Sequence, residues 1–337
     1  MKQLLIPFLC VIMILFAMML PGCINNDTTK HISILETNER FERIQDAIDH
    51  ADNGQTVLIP AGVFHESIVI DKQITLSGEN MKSTILDGSG FNDVIYVVAD
   101  NVTLNGFSIR DLNNINNSDD DAGVDIRSES NHISYINFSE NANYGIYLNN
   151  AHFNQIEHCQ FYNNGEGGIY SYYSNNNSFE NNSFLNSSHG LFLFFNHDGK
   201  VVSNKISSHS LKGLYFYACR YHLISDNIFS KNERGINIKG SKNNTITENM
   251  ITQNNIGIYL CCSGIDNLIY KNVFLTNEEH AHGYPLNQFD NGTVGNYWDD
   301  YNGVDADGDG IGDQAYNVTA GVYGEKNVDH FPLITLS

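Results

Sequence analysis

The chain has 337 residues, 39 of them acidic and 18 basic, for a formal charge of −21. A surface of that sign repels nucleic acid and anionic lipid and recruits cations, which excludes a nucleic-acid-binding role. Only 17% of residues are charged, and the wealth of Asn, Ser and Gly favours β-structure over helices.

At the N-terminus, Lys2 precedes an almost unbroken apolar run from Leu4 to Leu20, a positive n-region and an h-region too short for a transmembrane helix. The run ends in Leu20-Pro21-Gly22-Cys23, which resembles the lipobox of lipoprotein signal peptides. Residues 1–22 are then a signal peptide, cleaved before a Cys23 that carries lipid; the other reading is an uncleaved anchor. Both put the rest outside the cytoplasm, on the outer face of the cytoplasmic membrane. Residues 23–37, polar from Ile24 to Leu35, read as a tether. Beyond Cys10 and Cys23 lie Cys159, Cys219, Cys261 and Cys262, which show no metal-finger spacing. A core this large does not demand disulfides.

Phe41, Ile44, Ile48 and Ala51 follow helical spacing and predict an amphipathic cap helix. Seven strands follow, at Val57–Pro60, Ser67–Ile70, Ile74–Ser77, Thr84–Leu86, Val94–Val98, Val102–Leu104 and Phe107–Ile109. Asn113–Asp121 reads as a polar loop. From there a repeat takes over. Gly123, Gly145, Gly168, Gly190, Gly213, Gly235 and Gly257 recur every 22 or 23 residues, and each opens an alternating strand. Eleven residues after the last six glycines come Ile156, Phe179, Val201, Ile224, Ile246 and Leu268; sixteen after come Phe161, Phe184, Ile206, Phe229, Ile251 and Val273. Fourteen after come Asn182, Asn204, Asn227 and Asn249, with Cys159 and Lys271 in the same slot at the two ends.

Three short strands per repeat, separated by Asn, Gly and Ser turns, leave no room for the helices of ankyrin or tetratricopeptide units, and the leucine-rich signature is missing. The expected fold is all-β: a right-handed parallel β-helix of three-strand coils stacked about 4.8 Å apart, spanning residues 38–283 with its N-terminal cap helix. An irregular C-terminal cap, residues 284–337, shields the exposed end. Stacked Asn side chains satisfy turn backbone groups, and Cys159 reads as a buried filler.

Phe41-Glu-Arg-Ile-Gln-Asp-Ala-Ile, Gly54-Gln-Thr-Val-Leu-Ile-Pro-Ala-Gly-Val-Phe-His-Glu and Ile74-Thr-Leu-Ser-Gly-Glu resemble the start of pectin-lyase-like β-helices, NosD-like proteins above all. Gly295-Asn-Tyr-Trp-Asp-Asp-Tyr with Asp305-Ala-Asp-Gly-Asp-Gly-Ile-Gly-Asp resembles the C-terminus of related archaeal surface proteins. The resemblance implies the fold; function on this fold is set by the site.

Four candidate sites emerge. Asp305, Asp307, Asp309 and Asp313 occupy the first, third, fifth and ninth positions of an EF-hand-like calcium loop, with the Ile311 carbonyl at the seventh and Tyr316 where the bidentate Glu belongs. The second is a row of outward rings: Tyr147, Tyr170, Phe192, Tyr215 and Tyr259 two residues after their glycines, and Tyr172, Phe194 and Tyr217 four after. Eight exposed rings form a platform for stacking on sugar faces, for contact with another protein, or simply for packing. The third, weaker, is catalytic: Asp119, Asp120, Asp121, Asp125 and Arg127 lie beside this strand, as a lyase-type carboxylate and base would. The Arg-Ile-Lys segment of polygalacturonase-type relatives is missing, and Ser188-His189-Gly190 only partly matches their Gly-His-Gly. The fourth is copper, implied by the NosD resemblance, with His280, His282, Cys261 and Cys262 as the nearest donors. Asn-X-Ser/Thr sequons stand at Asn101, Asn116, Asn137, Asn186, Asn291 and Asn317.

The leading expectation is a non-catalytic, membrane-anchored envelope protein that binds a polysaccharide, or another envelope glycan or protein, with a calcium-stiffened tail. The alternatives are a polysaccharide lyase or glycoside hydrolase, and a NosD-like copper accessory.

Overall fold

The computed structural model describes residues 31–88, 90, 93–111, 121–320 and 327–335. The signal peptide, Cys23, Asn116, Asp119 and Asp120 lie outside the described residues. Among those described, sheets of 12, 11 and 11 strands wind side by side, parallel except for two antiparallel strands at the start of the first, and each interior coil strand is hydrogen-bonded to its counterparts one coil before and one coil after. Parallel strands joined by such crossovers take the right-handed sense, and the chain is a right-handed parallel β-helix.

The interior is built from apolar columns. Ile146, Ile169, Leu191, Leu214, Ile236 and Ile258 pair in register from coil to coil, and each is fully buried. Phe138, Phe161 and Phe184 stack face to face, with centroids 4.8 and 4.6 Å apart. Burial of each such side chain is worth roughly 1.5–3 kcal/mol.

The recurring glycine is steric in origin. A Cβ on Gly145 would stand 2.8 Å from the Gly168 carbonyl oxygen, and one on Gly213 would stand 2.6 Å from that of Gly235. The backbones of successive coils approach too closely here for any side chain.

Between the columns run ladders of buried amides. Each Asn accepts from the backbone N–H of the residue one coil earlier: Asn182 Oδ1 from Cys159, Asn204 from Asn182, Asn227 from Asn204, Asn249 from Asn227. Cys159 is a buried filler, its thiol pushed up to about 12 by burial. Other ladders run through Asn131, Asn154 and Asn177, through Asn232, Asn254 and Asn277, and through Ser174 and Asn196. A buried amide that meets backbone donors and acceptors avoids the cost of an unpaired group, so these turns stay both polar and dry.

The last coil departs from the expected register by one residue. Ile269, not Leu268, pairs with Ile246, and Phe274, not Val273, pairs with Ile251. The amide ladder continues through Asn272, whose Oδ1 accepts from Asn249, and not through exposed Lys271. The cause is an extra turn residue: Cys262, Ser263 and Asp266 are all left-handed, whereas the corresponding turn two coils earlier uses only Ala218 and Tyr221.

The seven upstream strands are all present, displaced by no more than one residue at either end. An additional strand, Gly62–Phe64, was not foreseen because its central Val63 points to solvent. Ile32–Ile34, assigned by sequence to the tether, is instead an antiparallel strand against Thr56–Ile59 with both isoleucines buried. The helix covers Ile44–His50 and buries Ile44, Ala47 and Ile48; Phe41 belongs to a short strand before it. The Glu66 carboxylate accepts from the Ile44 N–H at 2.9 Å, and Lys72 donates to the Ala51 carbonyl at 3.0 Å, so opposite charges meet the two ends. Beyond residue 283, Tyr297–Trp298 still pairs in parallel with Val273 and Phe274.

Candidate functional site

The glycine-led strands carry the richest surface chemistry. Tyr147 and Tyr170 stack at 5.2 Å and 7°, Tyr170 lies 5.2 Å from Phe194, and Phe192 lies 5.7 Å from Tyr215. Tyr172 and Tyr217 flank this row. Packing follows from the register, which pairs Tyr147 with Tyr170, Tyr170 with Phe192, and Phe192 with Tyr215.

The rings are less exposed than eight free side chains would be. Phe192 is buried, and the other seven are partly covered by neighbouring side chains. Tyr144, which the sequence reading missed, tilts against Tyr170 at 5.0 Å and helps cover Phe192. Burial raises the hydroxyl pKa of Tyr170 and Tyr215. The row is also interrupted: Asn237 takes the ring position between Tyr215 and Tyr259, and its Oδ1 accepts from Arg234 at 2.8 Å. Tyr259 stacks instead on His282, at 5.2 Å and 3°.

Four cations sit on this face. Arg127 lies 5.2 Å from the Tyr147 ring, Lys212 4.0 Å from Tyr215, Arg234 4.0 Å from Tyr259 and Lys239 5.2 Å from Tyr217. Lys212 and Arg234 share a column with Tyr144 and His189, one residue before each glycine. That column has the same period as the glycines, so the signal was present in the sequence. Burial lowers the Lys212 pKa, and Arg234 and Lys239 lower it further.

At the other end, Asp125 is buried and bound by Arg127 through both oxygens at 2.8 and 3.0 Å. Asp121 is buried as well. A carboxylate fixed in a two-oxygen ion pair is a poor general base.

In the acidic tail, Asp305, Asp307 and Asp309 bring carboxylate oxygens within 4.8 Å of one another. Asp305 accepts from the Gly308 and Gly310 N–H groups at 2.7 and 2.9 Å, which folds the loop around it. Asp313 turns to the Ala306 N–H at 2.9 Å, and the Ile311 N–H is held by Asp309 at 2.8 Å. Tyr316 stacks on Trp298 at 4.4 Å.

His280 and His282 do not converge. His280 takes the glycine slot of its coil, packs near Phe274 and Trp298, and lies 2.8 Å from Asp299 through Nε2. His282 faces Tyr259 and Glu279.

This architecture defines the class: a right-handed parallel β-helix with a ring-bearing strand face. The description "Periplasmic copper-binding protein (NosD)" matches residues 22–190, 81–236 and 168–303, and the chain belongs to the NosD family. No curated protein matches it. Among solved structures, it is similar to the enzymatically active domain of bacteriophage CBA120 tailspike protein 2, with TM-score 0.57, 11% identity, 72% of this chain covered and 39% of that one. The chain therefore spans about two fifths of the tailspike domain it matches. It is also similar to the Azotobacter vinelandii mannuronan C-5 epimerase AlgE6 A-module, with TM-score 0.52, 15% identity and coverage of 74% and 93%. A third likeness is to the Yersinia enterocolitica family 28 exopolygalacturonase, with TM-score 0.51, 12% identity and coverage of 75% and 66%. At these identities the likeness is one of fold.

The family description raises copper. Among the described residues, the groups of three or more potential ligands are His280 with Asp299 and Asp300, and the three tail aspartates. Neither contains a sulfur donor or a second imidazole. His280 Nδ1 is engaged by the Asn277 amide at 3.3 Å while its Nε2 faces Asp299. Cys159 and Cys219 are sealed in the core, with thiols pushed up to about 12 by burial. Cys261 and Cys262 are free thiols, half-buried and exposed, that join neither group, so among the described residues these side chains do not assemble a copper ligand set.

Proposed function

We propose that this chain is an extracytoplasmic protein, tethered to the membrane by a lipid on Cys23, that binds an envelope polysaccharide across its ring-bearing strand face without cleaving it. The observation that carries this reading is the contiguous row of rings from Tyr147 to Tyr215, spaced by one coil, with Phe192 buried and Tyr147, Tyr170 and Tyr215 half-covered. Rings held by their neighbours offer apolar and hydroxyl-bearing edges to a ligand at low entropic cost. The engagement of both Asp125 oxygens by Arg127 favours binding over acid–base cleavage. The periplasmic description of the family supports the compartment.

Tyr170→Ala and Tyr215→Ala are each expected to weaken glycan binding by about 0.5–1.5 kcal/mol, read by calorimetry on a ligand first found on a glycan array. Unchanged affinity in both variants would remove the platform from the account, and release of shortened sugars from uronate polymers would make the protein an enzyme.

We further propose that Asp305, Asp307 and Asp309, with the Ile311 carbonyl and Asp313 completing the set, hold a structural calcium ion. Hard carboxylate oxygens at alternate positions favour that ion. Chelation is expected to lower the melting temperature by several degrees, with recovery on adding calcium. A melting curve indifferent to both chelator and calcium would sink this assignment.

A further inference from the structure

The cations of the ring face are grouped at one end. Lys212 and Arg234 are paired neighbours in one column, and Lys239 follows Tyr217 in another. Among the described residues no carboxylate lies within ion-pair distance of any of the three, although ion pairs do form at Asp87–Arg110, Asp125–Arg127 and Glu248–Lys271. In a chain with 39 acidic residues, three adjacent cations without a carboxylate partner repel one another with no internal compensation. Each is instead laid against a ring of the platform, at 4.0 Å for Lys212 and Arg234 and 5.2 Å for Lys239.

His189 adds an independent observation. It precedes Lys212 in the same column, is only 5% exposed, and neither ring nitrogen has a hydrogen-bond partner. Its ring rests 3.9 Å from Phe192. Both nitrogens are closed off from solvent, so the ring packs beneath this face and leaves the polar contacts to the three cations.

We infer that the segment of the face from His189 to Tyr259 selects a carboxylate-bearing sugar chain, its ring edges lining the apolar sides of the pyranoses and Lys212, Arg234 and Lys239 meeting the carboxylates. This rests on the glycan-binding reading above and adds the ligand's charge to it. The negative field of the whole chain is screened beyond about 8 Å at physiological salt, so the contact is decided by the local cations. The guanidinium of Arg234 suits the planar carboxylate in particular.

The test is to measure affinity of the full chain for a polyuronate, for the same polymer after carboxyl reduction, and for a sulfated glycan, each at low and high salt. The polyuronate is expected to bind at least tenfold more tightly than its neutral counterpart at low salt, with the preference shrinking as salt rises. The K212Q/R234Q/K239Q variant, checked for an unchanged melting transition, is expected to bind the two polymers alike; single K212Q and R234Q variants give partial losses if the triple variant does not fold. Equal, salt-insensitive binding of both polymers overturns the inference and leaves the glycan reading intact. Preference for the sulfated chain over the polyuronate overturns the carboxylate assignment. Binding of none of the three overturns both.

Discussion

Replacing Asn227 with leucine is expected to lower the unfolding free energy by about 3–6 kcal/mol. Asn227 is fully buried in the interior of the longest amide ladder. Its Nδ2 donates to the Val201 and Ser225 carbonyls at 2.7 and 2.9 Å, and its Oδ1 accepts the Asn204 N–H at 2.9 Å. Leucine has nearly the same shape, so little cavity forms; the loss comes from stranding two carbonyls and an N–H out of reach of water. Lys205→Ala, at an exposed strand position, should stay within about 0.5 kcal/mol of the parent. Chemical denaturation of the three proteins checks this. A leucine variant as stable as the alanine one would mean that the ladder does not stabilise the coils.

The second large effect is a loss of stability on mild acidification. Burial lowers the pKa of His209 and of His222 to about 4 and that of His189 to about 3. In the unfolded chain the imidazoles titrate near 6.5. Between those values the unfolded state binds more protons, so stability is intact above pH 6.5 and falls as pH drops toward 4. Asp329 works in the opposite direction. Burial raises its carboxyl to about 6, so its folded form takes up a proton first and gains stability below that pH. Three imidazoles outweigh one carboxyl, and each costs about 2 kcal/mol by pH 5. His209 stands in an amide ladder, its N–H donating to Asn232 Oδ1 and its Nδ1 facing Ser187. His209→Asn restores the ladder chemistry and removes one titrating group. Urea midpoints at pH 7, 6 and 5 should therefore fall less steeply in H209N than in the parent; parallel slopes would show that His209 does not carry the effect.

The columns of the coil were legible because each interior slot accepts one chemical type. Ile169 and Leu191 must be apolar, Gly168 and Gly190 must lack a Cβ, and Asn182 and Asn204 must offer both a donor and an acceptor. The register of the last coil was not legible, since an extra residue at Cys262–Ser263 changes no residue type that the period tests; Leu268 and Ile269 are both apolar, and only the turn geometry selects between them. The rings at Tyr147 and Tyr170 were readable from strand alternation. Their partial burial was not, because cover comes from Tyr144 and from rings 22 or 23 residues away. The cation group was partly legible: Lys212 and Arg234 stand one residue before Gly213 and Gly235, so the glycine period already aligned them, whereas the approach of Lys239 to Tyr217 depends on strand pairing between coils. The tail aspartates, by contrast, form a local pattern, and three of them converge as their spacing implied.

The turn after Tyr259 shows where this architecture has slack. An added residue there is absorbed by a third left-handed position, while the strands before and after it keep their neighbours. Length is free to vary at the corners and is locked along the edges. Loops grafted or acquired at such corners would border the strand face without disturbing it, so a lineage can reshape the rim of that face while inheriting its floor unchanged.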